Sequence, residues 1–287
     1  MKKTIGIIGS GWLGSNYADN FERRGYDVTI YSLDKKYINN KEKIKECDIT
    51  FICVPTPTTP EGFDSSIIEG TFNLIGKNKT AVIKSTITPG LTKLFYLEFP
   101  EIYILHSPEF LTEATAKFDV DNPSRNLIGI PEDTREYSNK AKEVLEVLPK
   151  SNYNKIMDSN ESELYKYIRN CFFVTKLMFM NVAFDLAEEL NCNWSALREI
   201  MSMDEWIGEN HTDPIHKGGR GAANHCLLKD MASFIDLHDS VAGNVFADNF
   251  LDAIKKYNNY LLQSTGKDLD ILHGVYGVKD FENFNIK

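Results

Sequence analysis

The sequence predicts an α/β domain with a doubly wound parallel sheet over residues 1–158, followed by an all-α domain over residues 159–287. Two observations carry this prediction. Short β-branched runs alternate with helical patterns as far as Met157, and residues 159–190 then contain neither proline nor glycine while apolar residues recur at helical spacing. A chain of 287 residues is long enough for two such domains.

The composition argues against several other classes of protein. A formal net charge of −9 without a concentrated basic patch argues against nucleic-acid binding. The five cysteines are odd in number and lack the spacing of a metal site, which predicts thiols in a reducing, cytoplasmic compartment and no bound metal. No apolar run reaches the length of a membrane span and the chain opens on a core strand, so we expect neither a membrane helix nor a signal peptide.

A glycine motif follows the first predicted strand. Thr4–Ile8 is a short β-branched run, G-x-G-x-x-G comes next, and a helical pattern continues to about Arg24. In this context the first glycine permits a tight turn, the second permits close approach of a pyrophosphate, and the third permits helix–strand packing. The motif therefore predicts a Rossmann-type domain, with a glycine-rich turn lacking a ligand as the alternative. The predicted dinucleotide contacts are Gly9, Gly11, Trp12, Leu13 and Gly14.

The end of the second strand bears on the choice of cofactor. An acidic residue at this position holds the ribose hydroxyls of NAD, but after Asp27–Tyr31 the position falls on Ser32. Asp34 comes two residues later and can reach the ribose from the loop. Because Lys35 and Lys36 follow, a 2′-phosphate could also be accommodated. We expect NAD, with NADP as the alternative.

Polar segments follow the third and fourth strands. Ile49–Val54 ends in Pro55-Thr56-Pro57-Thr58, and prolines cannot extend a central strand, so the chain must leave the sheet at its carboxyl edge, where ligands bind. After a helix at 66–74, the strand Thr80–Ile83 leads into Lys84-Ser85-Thr86. Hydroxyl groups there can bind a cofactor or position water, and helix capping by Ser85 is the alternative.

A pair of carboxylates follows the fifth strand. Ile102–Leu105 runs into a segment in which Glu109 and Glu113 are four residues apart, which is one turn of a helix. Like charges at that spacing raise a pKa, and such a pair can hold or activate water. A solvated helix face is the alternative. A strand at 126–130, a helix at about 134–148 and a strand at 154–157 complete the domain.

The long helix predicted over residues 159–190 carries Lys166 and Asn170 one turn apart. The two residues are either functional or part of a solvated stripe. A second helix is expected at 195–201. The polar, glycine-containing segment 204–224 is expected to be a loop that closes over a site.

A cysteine precedes the next helical pattern. Cys226 is followed by Lys229 and Asp230, and in a helix Cys226 and Asp230 share one face. A thiolate is a strong nucleophile, and a nearby ammonium and a helix N-terminus lower the pKa of a thiol. A buried structural cysteine beside a solvated Lys–Asp pair is the alternative. Helices are expected at about 229–238 and 244–262, followed by a short tail.

Six motifs together resemble the UDP-glucose/GDP-mannose dehydrogenase family. Within residues 1–235 they are, in chain order, GSGWLG, CVPTPT, KSTITPG, SPEFLTEA followed by NPSR, ELYKYIRNCFFVTK, and CLLKD. The resemblance implies NAD-dependent, four-electron oxidation of the primary alcohol of a nucleotide sugar, a UDP-sugar being favoured, to a carboxylate. It also implies a thiohemiacetal and then a thioester on Cys226.

The roles of the family transfer to matching positions. Cys226 is implied as the nucleophile, with Lys166 and Asn170 stabilising the oxyanion. The implied water-positioning and acid–base residues are Glu113, Thr86 and Asp230. The implied cofactor pocket contains, besides the glycine motif and the end of the second strand, Val54, Pro55, Thr56, Ser85 and Thr86. The implied substrate contacts are Glu109, Phe110, Leu111, Lys166, Asn170 and Gly221.

The chain departs from the family pattern in three places. The family carries a third domain that binds much of the nucleotide, and this sequence ends before it. Trp206 stands where the family favours an arginine that helps a neighbouring subunit bind substrate. The glycine-rich segment before the cysteine reads Gly221-Ala-Ala-Asn224-His225, and Leu228 replaces a proline. We therefore expect intact thiol chemistry with altered nucleotide-sugar recognition.

Two other interpretations stay open. A two-electron dehydrogenase of the 6-phosphogluconate/β-hydroxyacid type has the same domain order but needs no cysteine, and the placement of Cys226 argues against it. A catalytically inactive NAD-binding module, or a partner subunit of a full-length enzyme, is favoured by the missing domain and by Trp206. The long apolar helix predicts a homodimer built across it.

Overall fold

A seven-stranded sheet organises the N-terminal part of the chain. The computed structural model describes residues 2–224 and 226–277, apart from the side chain of Glu113. The spatial strand order is β2-β1-β3-β4-β5-β6-β7. The strands are β1 (Ile5–Ile8), β2 (Val28–Tyr31), β3 (Ile49–Ile52), β4 (Thr80–Ile83), β5 (Tyr103–His106), β6 (Asn126–Ile130) and β7 (Asn154–Asp158).

The strand order changes direction beside β1, which lies between β2 and β3 and is parallel to both. In open α/β sheets the crevice outside the carboxyl ends of strands at such a switch point binds ligands. The glycine motif follows β1, and the segment Val54–Thr56 follows β3. The chain order alone therefore brings both predicted cofactor segments to one edge of the sheet.

The predicted doubly wound sheet is confirmed, and the sheet is mixed because its last two strands run opposite to the other five. β6 pairs antiparallel with β5 through His106 and Gly129, and β7 then runs parallel to β6. A parallel crossover usually needs a helix long enough to return the chain to the opposite edge. The connection before β6 carries only the six-residue α5 (Ala116–Asp121), so the chain enters β6 from the edge at which β5 ended.

The strands are isoleucine-rich and their central members are fully buried, as expected for a sheet covered on both faces. Phe21 on the first helix stacks on Phe51 of β3 with ring centroids 5.1 Å apart. Aromatic pairs of this kind add to the stabilisation from buried area. Besides α5, the helices of this part are α1 (Trp12–Arg23), which carries Phe21, α2 (Lys41–Ile44), α3 (Ser66–Phe72), α4 (Leu91–Glu98) and α6 (Arg135–Val147).

The long helix predicted after Asp158 is confirmed as α7 (Ser159–Glu189). The chain forms two compact units. One holds the chain up to Thr56 together with Asp64–Lys166, and the other holds Pro57–Phe63 together with the chain from Tyr167 onward. The division falls within α7, and one face of the first two turns of this helix is buried in the first unit: Ser162 Oγ lies 2.8 Å from His106 Nδ1.

The second unit is helical, as predicted, with one helix more than expected. Its further helices are α8 (Trp194–Met203), α9 (Leu227–Val241), α10 (Val245–Thr265) and α11 (Leu269–Tyr276). The prediction of a tail after α10 was wrong, since Leu272 and Val275 of α11 are buried against Leu228 and Leu262. Eight residues show too little periodicity to reveal such a helix in the sequence.

The helix α7 bears on the expectation that the chain has no membrane helix. By length and composition it is the one helix of the described residues that could cross a membrane. This evidence is weak, because core helices of soluble proteins pass the same test. Its second turn moreover carries Glu163 and Lys166, which are buried and hydrogen-bonded to protein groups.

Candidate active site

The glycine motif has the geometry of a phosphate-binding turn. Gly9 has φ +103°, and a Cβ there would lie 2.2 Å from the Cys53 carbonyl oxygen. A Cβ at Gly14 would lie 2.0 Å from the carbonyl oxygen of Gly9. Gly11 precedes α1 without a side-chain cap, and a Cβ at this position would meet nothing within 4 Å. The start of α1 therefore offers backbone N–H groups and open space, and these residues fit the pyrophosphate of NAD.

Two side chains after β2 form hydrogen bonds with this turn. Ser10 Oγ lies 2.8 Å from Ser32 Oγ and donates to the Asp34 carboxylate. Ser32 Oγ also accepts the Asp34 backbone N–H at 3.2 Å. A carboxylate held here can accept the ribose hydroxyls of NAD and would repel the 2′-phosphate of NADP. Trp12 is exposed beside the turn, whereas Leu13 packs against the core.

The segments after β3 and β4 are joined by one hydroxyl group. Ser85 Oγ accepts the Val54 N–H at 3.0 Å and donates to the Val54 carbonyl at 2.7 Å. Since Gly90 is the residue before α4, Ser85 does not cap that helix. Thr56 is buried and Thr86 is half-buried. Ser85 thus fixes the edge of the predicted cofactor pocket rather than capping a helix.

Lys166 and Glu109 form a buried ion pair within the first unit. Lys166 Nζ donates to Glu109 Oε1 at 2.9 Å and to the Glu109 carbonyl at 2.8 Å. The second carboxylate oxygen accepts the Leu111 N–H at 2.7 Å. Burial by itself raises the pKa of Glu109, but Lys166 and the hydrogen bonds outweigh burial, so the pKa lies below its usual range. Glu109 is therefore an ionised anchor for Lys166, and neither residue belongs to a solvated stripe.

The predicted helical pairing of Glu109 with Glu113 is wrong. Residues 107–112 are not helical, and a 3-10 turn begins only at Glu113, whose side chain lies outside the described part of the chain. The carbonyl group of Glu109 is turned towards Lys166 instead of bonding along a helix, which favours an extended segment. In this segment the Phe110 ring lies under the guanidinium of Arg125 at 4.5 Å.

Sequence reasoning missed Lys84. Its ammonium is buried at the end of β4, donates to Ser107 Oγ at 3.3 Å and lies 4.7 Å from the centre of the Tyr17 ring. Burial lowers the pKa of Lys84 to about 8. Burial and the ammonium groups of Lys84 and Lys166 also lower the pKa of His106 to about 3, so His106 is neutral. The available signal was a lysine directly after the apolar run Ala81–Ile83.

A second polar cluster lies in the helical unit. Asn170 Nδ2 donates to Asp230 Oδ2 at 2.6 Å, and Lys229 Nζ pairs with Asp230 Oδ1 at 2.6 Å. Asp230 has no exposed surface. Cys226 immediately precedes α9, as predicted, and its carbonyl accepts the Asp230 N–H at 3.0 Å. Cys226 thus lies one helical turn before the carboxylate that Asn170 binds, and Gly221 is buried five residues before the cysteine.

A dinucleotide turn at the switch point of a Rossmann sheet, followed by a helical unit with a cysteine beside a buried amide–carboxylate pair, defines an NAD-dependent oxidoreductase. Two family models agree with this class. The NAD binding domain of the UDP-glucose/GDP-mannose dehydrogenase family matches residues 38–148, and the central domain of the same family matches residues 160–260. The chain belongs to the UDP-glucose/GDP-mannose dehydrogenase family.

Individual relatives are distant in sequence. The chain is 28% identical to a UDP-glucose 6-dehydrogenase of Streptococcus pneumoniae, over 85% of this chain and 72% of that protein. It is 26% identical to an uncharacterized protein of Methanocaldococcus jannaschii, over 93% of this chain but only 34% of that protein. The structure of a UDP-glucose dehydrogenase from Pyrobaculum islandicum superposes with a TM-score of 0.75 at 22% identity, over 93% of this chain and 72% of that one.

Proposed function

We propose that the chain oxidises the primary alcohol of a nucleotide sugar, a UDP-sugar, to a carboxylate in two successive steps, with Cys226 as the covalent nucleophile. The observation that supports this proposal is the position of Cys226 one helical turn before Asp230, whose buried carboxylate accepts a hydrogen bond from Asn170. Simple alcohol oxidation needs a base and a hydride acceptor but no thiol. A cysteine placed in such a cluster is required when an aldehyde must be oxidised without escaping.

In the first oxidation the alcohol carbon loses a hydride and its oxygen loses a proton, which gives the aldehyde. NAD, held by the glycine turn, would accept the hydride in each oxidation. The proposed proton acceptor is a water molecule. The residues proposed to position that water are Thr86, Glu113 and Asp230.

In the second oxidation a bond forms between Cys226 Sγ and the aldehyde carbon, and the thiol proton passes to the carbonyl oxygen, which gives a thiohemiacetal. Loss of a second hydride and of the hydroxyl proton leaves a thioester. Water then adds to the thioester carbon and the C–S bond breaks. One proton of the water passes to the departing thiolate sulfur, the other passes to solvent, and the carboxylate leaves. The residues of this chain thus regenerate the thiol in each cycle.

Lys166 and Asn170 are proposed to stabilise the negative oxygen that develops in these steps. An ammonium has three N–H donors, and Lys166 places two of them on Glu109. An amide has two, and Asn170 places one on Asp230. Among the described residues these hydrogen bonds leave one donor on each group, and we propose that this donor binds the substrate oxygen, as preorganised stabilisation requires.

The test is product analysis with a set of UDP- and GDP-sugars and either NAD or NADP. Wild-type protein should form two equivalents of reduced cofactor for each equivalent of acid, and Cys226→Ser should accumulate aldehyde or a slowly hydrolysed ester. One equivalent of reduced cofactor, independent of Cys226, would instead indicate the two-electron type of dehydrogenase. Cofactor binding without turnover would indicate an inactive module or a partner subunit.

We also propose that the chain is a homodimer in the cytoplasm. The part of α7 within the second unit exposes a continuous apolar face formed by Ile168, Phe172, Phe179, Val182 and Leu186. A face of this extent is typical of an association surface, and a second copy of the same helix matches it by symmetry. All five cysteines are thiols, which suits a reducing compartment.

A further inference from the structure

The segment that leads to Cys226 is held by α10 and the turn after it. The Asn258 side chain accepts the Ala222 N–H at 2.6 Å and donates to the Ala222 carbonyl at 2.9 Å. Lys267 Nζ donates to the Gly221 carbonyl at 2.8 Å. Asn258 and Lys267 are both buried. This portion of the predicted closing loop is therefore fixed to the body of the helical unit.

Asn224 completes the connection to α9 in an unusual backbone conformation. Its φ is +96°, in the left-handed region that few residues other than glycine adopt. Its side-chain Oδ1 accepts the N–H groups of Cys226 at 3.0 Å and of Leu227 at 2.8 Å. Asparagine tolerates this backbone better than other residues with a Cβ, and it is a good acceptor at a helix start. Asn224 thus supplies both the turn and an acceptor for the N–H groups of Cys226 and of Leu227, the first residue of α9.

The consequence is that both peptide groups of Cys226 are held. The N–H of Cys226 binds Asn224, and the carbonyl binds the Asp230 N–H at 3.0 Å. With its N–H and its carbonyl both fixed, the direction of the Cα–Cβ bond is fixed as well. The position of the thiol is then defined relative to Asp230, whose carboxylate binds Asn170.

We propose that Asn224 is a positioning residue for Cys226, and this rests on the function proposed above. The side chain of Asn224 holds the cysteine backbone so that Sγ meets the aldehyde carbon in the second oxidation. A misplacement of the order of an ångström at a reacting atom can lower a rate about a hundredfold. The first hydride transfer does not use the thiol, so it does not depend on Asn224.

The test compares Asn224→Gly with a matched control. Glycine keeps the left-handed backbone and removes only the side-chain acceptor. Asn244, the N-cap residue of α10, accepts two N–H groups at the same spacing, those of Phe246 at 3.0 Å and Ala247 at 3.3 Å, and is not a proposed catalytic residue. Asn244→Gly should lower the melting temperature slightly, and Asn224→Gly should lower it less, because glycine adopts the left-handed backbone at position 224 without strain.

Two measurements separate positioning from a general structural effect. The first is the ratio of aldehyde to acid formed from the best UDP-sugar with NAD. The second is the pH dependence of iodoacetamide alkylation at Cys226 relative to exposed Cys192, read by peptide mass spectrometry. Asn224→Gly should slow acid formation by about tenfold or more and change the alkylation profile of Cys226, with the first hydride transfer unchanged. Asn244→Gly should change neither quantity.

A conservative variant sharpens the comparison. Asn224→Asp retains an acceptor oxygen and should restore acid formation, while its charge moves the alkylation of Cys226 to higher pH. Acid formation at the wild-type rate with an unchanged alkylation profile in Asn224→Gly would overturn the proposal. If wild-type protein made no acid from any nucleotide sugar, the proposed function would fail, and the alkylation profile alone would decide the role of Asn224.

Discussion

Lys166 places two hydrogen bonds on Glu109, one on its carboxylate and one on its carbonyl group, and both residues are buried. A buried charge that loses its partner is costly. Lys166→Met should therefore lower the free energy of unfolding by about 3–5 kcal/mol, measured by urea denaturation.

The double variant Lys166→Met/Glu109→Gln should recover much of that stability, because no unpaired charge remains, but it should not recover oxidation activity. A single variant whose free energy of unfolding lies within about 1 kcal/mol of wild type would show that the pair contributes no more than an exposed ion pair.

Glu163 predicts a pH dependence of stability. It is fully buried and accepts the N–H groups of Gly90 at 2.7 Å and Thr92 at 2.9 Å, at the start of α4. Burial raises the pKa of Glu163 to about 7 despite these hydrogen bonds. Between the ordinary pKa of a glutamate and pH 7, the folded protein binds more protons at this site than the unfolded chain does. The contribution of Glu163 to stability is therefore full at low pH and is lost as pH rises towards 7.

The measurement is the free energy of unfolding of wild type and Glu163→Gln at several pH values between 4.5 and 8. The difference in the free energy of unfolding between the two proteins should change by roughly 2–3 kcal/mol across this pH range, because the wild type becomes less stable relative to Glu163→Gln as pH rises. A constant difference would show that Glu163 does not titrate in this range.

The glycines of the dinucleotide turn should separate binding from folding. A Cβ at Gly11 meets nothing within 4 Å, so Gly11→Val should fold normally and lose NAD affinity by about tenfold or more, as measured by calorimetry.

A Cβ at Gly14 would lie 2.0 Å from the Gly9 carbonyl oxygen. Gly14→Ala should therefore lower the free energy of unfolding by about 1–3 kcal/mol. Unchanged NAD affinity in Gly11→Val would show that the cofactor does not bind at this turn.

The apolar face of α7 predicts a concentration-dependent dimer. Phe179 is 67% exposed on that face, and Phe179→Glu should shift the sedimentation coefficient from dimer to monomer. Leu97 on α4 is 72% exposed and lies outside the face, so Leu97→Glu is the matched control and should leave the association unchanged. A monomeric wild type at high protein concentration would contradict the proposed homodimer.

The parts of the fold that were predictable depend on local sequence. The β1–turn–α1 unit was read correctly because tight packing leaves no room for a side chain at Gly9 and Gly14, and that constraint is visible in the residues themselves. The strands of the sheet were located within a few residues for the same reason, as fully buried strands are apolar throughout.

The parts that were not predictable depend on partners distant in the chain. The antiparallel direction of β6 follows from the path of the chain before it, which periodicity does not encode. Glu109 was expected on a helix with Glu113, but Lys166, 57 residues later, binds its carbonyl and carboxylate in an extended segment. The burial of Lys84 likewise depends on Tyr17 and Ser107, which are distant from it in the chain.

The Val54 amide, which donates to the Ser85 hydroxyl group, can report on ligand binding at the cofactor edge of the sheet. The Val54 amide is bound by a side chain beyond the end of β3 and not by a neighbouring strand. Its exchange with solvent deuterium therefore requires only a local opening of two loops, while the amides within β3 exchange through larger openings. A ligand that binds at this edge would slow the exchange of the Val54 amide. The occupancy of the cofactor site could then be followed by NMR before any substrate has been found.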